Sequence, residues 1–328
     1  MQGAEQNHRI RPVGAISIAV TMLTLLRLVT AAYAQIGDIF PKDAQLERLW
    51  SEGQFTEGPA YGPDHCVYFS DIGNRIMKFD PATGKVSVFR EPSGRANGLC
   101  FDKQGRLLAC EGANGGNRRV SITDQDGTVR TLADRWQDKR FNSPNDLDID
   151  PQGRIYFSDP RYVGNEPREI AQEAVYRIDP DGRVTQLITD VQKPNGVAVS
   201  PNGKTLYVAD NNSAPGGARL LLAYPLNPDG SVGAKRILYD FGKERGIDGM
   251  CLDEKGNIFA TAGSGTKGGI YVFSPEGKLL TFLPTPETPT NCTFGDPDRK
   301  TLYITAGKSL YRIRTNVRGH AIYWPPDK

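Results

Sequence analysis

Oxygen-bearing side chains recur along this 328-residue chain in a regular pattern. Glu57, Asn97, Asn145, Asn195, Asp248 and Asn291 each open a short segment of one design, at spacings of 40, 48, 50, 53 and 43 residues. Two carboxylates and four amides, with no nitrogen or sulfur donor among them, form the donor set of a hard divalent cation. Ca²⁺ takes about six to eight such oxygens in loose geometry, mixing carboxylates, amide carbonyls and water. It is therefore the expected cofactor, one ion per chain. Mg²⁺ needs a stricter octahedron, and Mn²⁺ or Zn²⁺ compete for the same donors. The two carboxylates would neutralise the ion, while amide oxygens would fill its coordination without adding repulsion. Any single Asn-Gly pair is explained by a turn; six equivalent positions call for a shared reason. Histidine offers no rival chemistry, because His8, His65 and His320 all fall outside these positions. A Ser-His-Asp triad or a His-bound zinc or haem centre is not expected.

To meet at one point, these residues must stand on elements arranged in a ring, and the flanking sequence supplies them. The segments EGPAYGPDHCVYFSDI, NGLCFDKQGRLLACEGA, NDLDIDPQGRIYFSDP, NGVAVSPNGKTLYVADN, DGMCLDEKGNIFATAGS and NCTFGDPDRKTLYITAG align with one another. Each runs through an apolar strand, turns at a tip such as DKQG or DPQG, and enters a second strand. Third strands follow at NRIMKFD, RRVSITD, AVYRIDP, ARLLLAYPL, GIYVFSP and SLYRIRT, with the period-two alternation of half-buried β-structure. Fourth strands follow in five units, at KVSVFRE, TVRTLAD, RVTQLIT, KRILYDF and KLLTFLP. The sixth lacks one, and AQLERLWSEG, ahead of Glu57, matches what is missing. The pattern predicts an all-β six-bladed propeller with four antiparallel strands per blade, closed by the N-terminal strand. The opening residues head the innermost strands and should converge on one mouth of the central tunnel.

Composition agrees with this reading and narrows the partners. Gly 36 and Pro 23 favour strands joined by tight turns over helices. A net charge of +2, spread without a dense basic run or an acidic tail, speaks against nucleic acid and against a polycation partner. Residues 1–34 read as a signal peptide: Arg9 and Arg11, an apolar stretch, then Ala32-Tyr33-Ala34 before Gln35. Arg27 interrupts the apolar stretch, and an uncleaved anchor is the competing reading. The remainder, 35–328, would be one propeller domain, exported to the periplasm or secreted, with no membrane contact after cleavage. Five cysteines without metal-binding spacing suggest no disulfide framework. Tyr162 and Trp136 could stack on a sugar, but aromatics in such chains more often serve blade cores.

Taken together, FTEGPAYG, RANGL, SPNDLDIDPQGRIYFSDP, KPNGVAVSPNGKTLYVADN, GIDGMCLDEKGN and TNCTFGDPDRKTLYITA resemble the SMP-30/gluconolactonase/LRE-like family in order and register. The resemblance spans 35–328 and implies a six-bladed propeller with a catalytic Ca²⁺ or similar cation. By motif it assigns Glu57, Asn195 and Asp248 as metal ligands, with Asn145 contacting metal or substrate. Asn97 and Asn291 would contact substrate, and Arg140 is the nearest counterpart of a substrate-holding arginine. The activity implied is hydrolysis of a sugar lactone such as glucono-1,5-lactone, which makes a small-molecule substrate the expected partner. The cation would polarise the carbonyl, and Asp248 would serve either as base toward water or as the group orienting a cation-held water. Other lactones, aryl esters or phosphotriesters would suit the same site. A non-catalytic propeller binding platform with a structural ion is the remaining alternative.

Overall fold

In the computed structural model, residues 38–322 and Met1 are described. The predicted signal peptide, 1–34, lies outside the described residues except for Met1. Six four-stranded antiparallel sheets form the blades of a β-propeller. Blade 1 runs through Thr56–Tyr61, Val67–Asp71, Arg75–Asp80 and Lys85–Arg90. The inner strands of blades 2 to 6 are Ala96–Phe101, Leu147–Ile149, Pro194–Val199, Met250–Leu252 and Pro289–Gly295. Each inner strand contacts those of the neighbouring blades, and blade 6 returns to blade 1. Among the described residues no helix is long and apolar enough to cross a membrane.

Turn chemistry at the blade tips is local. Asp102 Oδ1 accepts the Gln104 and Arg106 N–H groups at 2.9 Å, and Gly105 takes φ +72°. The DPQG tip repeats this, with Asp150 accepting from Gln152 and Arg154 and Gly153 at φ +82°. Apolar side chains then fill a wedge at each blade junction, so the core is six clusters in place of one centre. Trp136 belongs to such a wedge, edge-on to Tyr176.

Ring closure follows the expected route. Glu47–Trp50 pairs antiparallel with Ser309–Arg314 as the outer strand of blade 6. The wedge between blades 6 and 1 joins Phe69 and Phe79 to Tyr303 and Leu310, and Trp50 lies edge-on to Phe69 at 5.4 Å. Nearer the axis, Thr290 Oγ1 donates to the Thr56 carbonyl at 2.7 Å, and Thr56 Oγ1 donates to Ser309 O at 2.8 Å. All five cysteines are free thiols, and Cys251 and Cys292 of blades 5 and 6 stand 3.4 Å apart.

A repeated carboxylate fixes the backbone that leads into the inner strands. Asp71, which ends the second strand of blade 1, accepts the Gln54 and Phe55 N–H groups at 2.8 and 3.1 Å. Asp159 does the same for Asn142 and Ser143 at 2.7 and 2.6 Å, and Asp210 for Gln192 and Lys193 at 2.9 and 2.8 Å. Each clamp ends two residues before Glu57, Asn145 or Asn195. The Asp of FSD and VAD is thus a positioning group, although in the sequence it reads as the end of a strand.

Two outcomes follow. Trp50→Ala removes a half-buried ring from the closing wedge and should cost about 2–3 kcal/mol in a denaturant titration. Asp71→Ala strands two backbone donors and should cost a comparable ~2–3 kcal/mol.

Candidate functional site

Five of the six predicted residues meet at one mouth of the tunnel. Glu57, Asn97, Asn145, Asn195 and Asp248 line a single cavity of about 430 Å³. That volume lies within the range of small-molecule sites, about 300–1,000 Å³. Glu57 and Asn195 are almost fully buried. Glu57 Oε2 accepts the Gly58 N–H at 3.0 Å. The Asn195 amide donates to Asp248 Oδ1 at 2.6 Å and to the Tyr162 hydroxyl at 3.1 Å. The side chains of Asn97 and Asn145 carry no hydrogen bond to another described residue, and both residues line the cavity.

The sixth position is a correction. In blades 1, 2 and 4, Thr56, Ala96 and Pro194 pair with the last acidic residue of the second strand, and the next residues are Glu57, Asn97 and Asn195. In blade 6, Pro289 pairs with Ala306, so the equivalent residue is Thr290. The bulge falls between Pro289 and Asn291, which puts Asn291 one residue further along. Its amide points down the tunnel, 3.5 Å from Asp146 Oδ1, and lines a separate cavity of about 100 Å³ at the other end. Arg140 also stands away from the mouth. Its backbone N–H donates to Glu169 at 2.8 Å, and its guanidinium is held by the Asn117 carbonyl.

Several residues at the site were not expected. Arg245 ion-pairs with Asp248 and donates to Pro289 O at 3.0 Å. Arg95 lines the same cavity. Their spacing, three residues before Asp248 and two before Asn97, was the available signal. Tyr162 is part of the cavity wall and not of a blade core: it is 40 % exposed and donates to Asn211 O at 3.1 Å. The Lys193 ammonium sits over its ring at 5.0 Å. Asp146 occupies the place that glycine holds in blades 1, 2, 4 and 5 and accepts the Val197 N–H at 3.2 Å.

The electrostatics suit a cation. Burial, followed by the charge of Asp248, holds the Glu57 carboxyl well above its ordinary range, against the Gly58 N–H. Burial also raises Asp248, while Arg245 and Asn195 pull it down. Burial pushes Asp146 up to about 7. Two costly carboxylates beside uncommitted amides are relieved by a divalent ion, which favours the charged forms. Among the described residues no three His, Cys, Asp or Glu side chains cluster closely enough to hold an ion by themselves. A metal here must draw on the asparagine oxygens, which is the oxygen chemistry of Ca²⁺ or Mg²⁺. The donor set therefore fits.

Comparison with known proteins places this architecture. Residues 55–308 match the model of the SMP-30/gluconolactonase/LRE-like region. A gluconolactonase from Zymomonas mobilis is 32% identical over 321 residues, covering 89% of this chain and 87% of its own. A regucalcin from Xenopus laevis is 30% identical over 251 residues, covering 73% and 78%. The solved structure of a Xanthomonas campestris gluconolactonase superposes with a TM-score of 0.77 at 32% identity, covering 86% of this chain and 93% of that one. The chain belongs to the SMP-30/gluconolactonase/LRE-like family.

Proposed function

We propose that this chain is a cation-dependent hydrolase of a sugar lactone such as glucono-1,5-lactone, working in the tunnel-mouth cavity. The observation that carries the proposal is the convergence of Glu57, Asn145, Asn195 and Asp248 on one cavity, with Asn97 beside them. The similarity to gluconolactonases supports the substrate class, and the all-oxygen donor set supports Ca²⁺ as the resident ion. Glu57, Asn195 and Asp248 would hold it, with Asn145 as a further ligand. When bound, such a cation polarises a lactone carbonyl and stabilises the oxyanion that develops on it.

The chain's own residues supply the remaining functions. Asp248 is the base that takes a proton from the attacking water, since no histidine lines the cavity. Arg245 fixes one of its oxygens and Asn195 the other, so the carboxylate is oriented before substrate arrives. The uncommitted amide of Asn97 is placed to bind sugar hydroxyls. Phe55, Ile72 and Val163 give the cavity an apolar rim that limits water around the reacting ester. The signal-like pattern of residues 1–34 supports export to the periplasm or the medium as part of the same reading.

Lactone hydrolysis followed with a pH indicator tests the reading. Activity should vanish with EDTA and return with one of Ca²⁺, Mg²⁺, Mn²⁺ or Zn²⁺. Asp248→Asn should lower kcat by about 10²–10⁴-fold in protein that melts cooperatively. Turnover indifferent to chelation, or an Asp248→Asn variant within twofold of the parent, would overturn the assignment.

A further inference from the structure

The charged side chains of the cavity balance one another only while no cation is held there. Four charged side chains line it: Glu57, Asp248, Arg95 and Arg245. Arg245 is matched to Asp248. Arg95 donates to the Ile72 carbonyl at 2.9 Å and to no carboxylate among the described residues. If a divalent cation is held between Glu57 and Asp248, it neutralises both, and two guanidinium charges are left facing the cavity. Arg95 stands at the entry to blade 2, which in a ring of six lies opposite blade 5, the blade of Asp248.

The backbone of Arg95 is as unusual as its charge. It sits at φ +62°, in the left-handed region that favours glycine, directly after Gly94 at φ +71°. Its N–H donates to Asn74 Oδ1 at 2.9 Å, and its carbonyl accepts the Gly112 N–H at 2.9 Å. A non-glycine residue persists in such a conformation where its surroundings over-determine it, a pattern concentrated at ligand sites. At this strained position, pinned on both sides, the Arg95 side chain lines the cavity with one guanidinium nitrogen on the Ile72 carbonyl and its remaining N–H groups without a carboxylate partner among the described residues.

We infer that Arg95 forms an anion subsite, and that the preferred lactone carries a second, negatively charged oxygen group remote from the reacting carbonyl. This rests on the lactonase reading for the reaction, though not for the binding. Planar guanidinium matches carboxylate and phosphate alike through paired N–H donors. The subsite would therefore accept a lactone of a sugar acid or of a sugar phosphate.

Substrate preference and product binding test it together. Against glucono-1,5-lactone, the lactone bearing a C6 carboxylate should show a kcat/KM about tenfold higher, with the preference shrinking as salt rises. Arg95→Met should collapse that preference ratio by about tenfold, chiefly through KM, while Arg95→Lys retains most of it. Calorimetry with Ca²⁺ present should find glucarate bound more tightly than gluconate, a difference lost in Arg95→Met. A 6-phosphogluconate arm tells which anion is recognised, by its rank against glucarate. Should no lactone be hydrolysed, the calorimetry still decides on the subsite. A preference ratio unmoved by Arg95→Met in folded protein, or dianions bound no better than gluconate, would overturn it.

Discussion

Contact between adjacent inner strands at the tunnel wall is the constraint on which the site depends. The Gly196 N–H reaches the Asp248 carbonyl at 2.7 Å, and the Gly98 N–H reaches Asn145 O at 2.7 Å. A Cβ on Gly58 would lie 2.1 Å from the Asn97 carbonyl, and one on Gly249 would lie 2.0 Å from the Asn291 side chain. The glycine after the opening residue is there because the next blade occupies its side-chain space. By bringing the strands this close, these contacts put Glu57, Asn97, Asn145, Asn195 and Asp248 around one opening. Clamping by Asp71, Asp159 and Asp210 then fixes the approach of three of those strands.

Much of this was legible in the residues because the fold repeats a local rule. Strand alternation, tips such as DPQG and the missing sixth outer strand each fix a blade element from nearby sequence, and the ring follows from counting them. What failed was a matter of register. Blade 6 carries its bulge just ahead of Asn291, so matching Asn to Asn put the alignment one residue out and concealed Thr290. A one-residue slip reverses the face of a strand, and similarity of residue type cannot reveal it. Arg140 failed for a different reason: a motif offset does not report where a long side chain finds its partner. Tyr162 was assigned by base rate to a core, while its loop places it against Asn195.

Opposing charges are confined in a small volume at the tunnel mouth. Burial makes ionised Glu57 and Asp248 costly, and Arg245 relieves only one of them. The side chains of Asn97 and Asn145, without a hydrogen-bond partner among the described residues, would add oxygen donors but no charge, and a divalent ion would favour the ionised form of both buried carboxylates. The same ion would release the guanidinium of Arg245 from its role as sole counter-charge to Asp248. On the proposed function, cation binding, orientation of Asp248 and the guanidinium charges would form one electrostatic system, in which a change at any member reaches the others.

If Glu57, Asn195 and Asp248, with Asn145 as a further ligand, hold a cation, anomalous diffraction from crystals grown with Ca²⁺ tests it most directly. One anomalous peak is expected at the tunnel mouth, about 2.3–2.6 Å from oxygens of Glu57, Asn195 and Asp248. A tunnel mouth without that peak at saturating Ca²⁺, or an ion held by other residues, would contradict it.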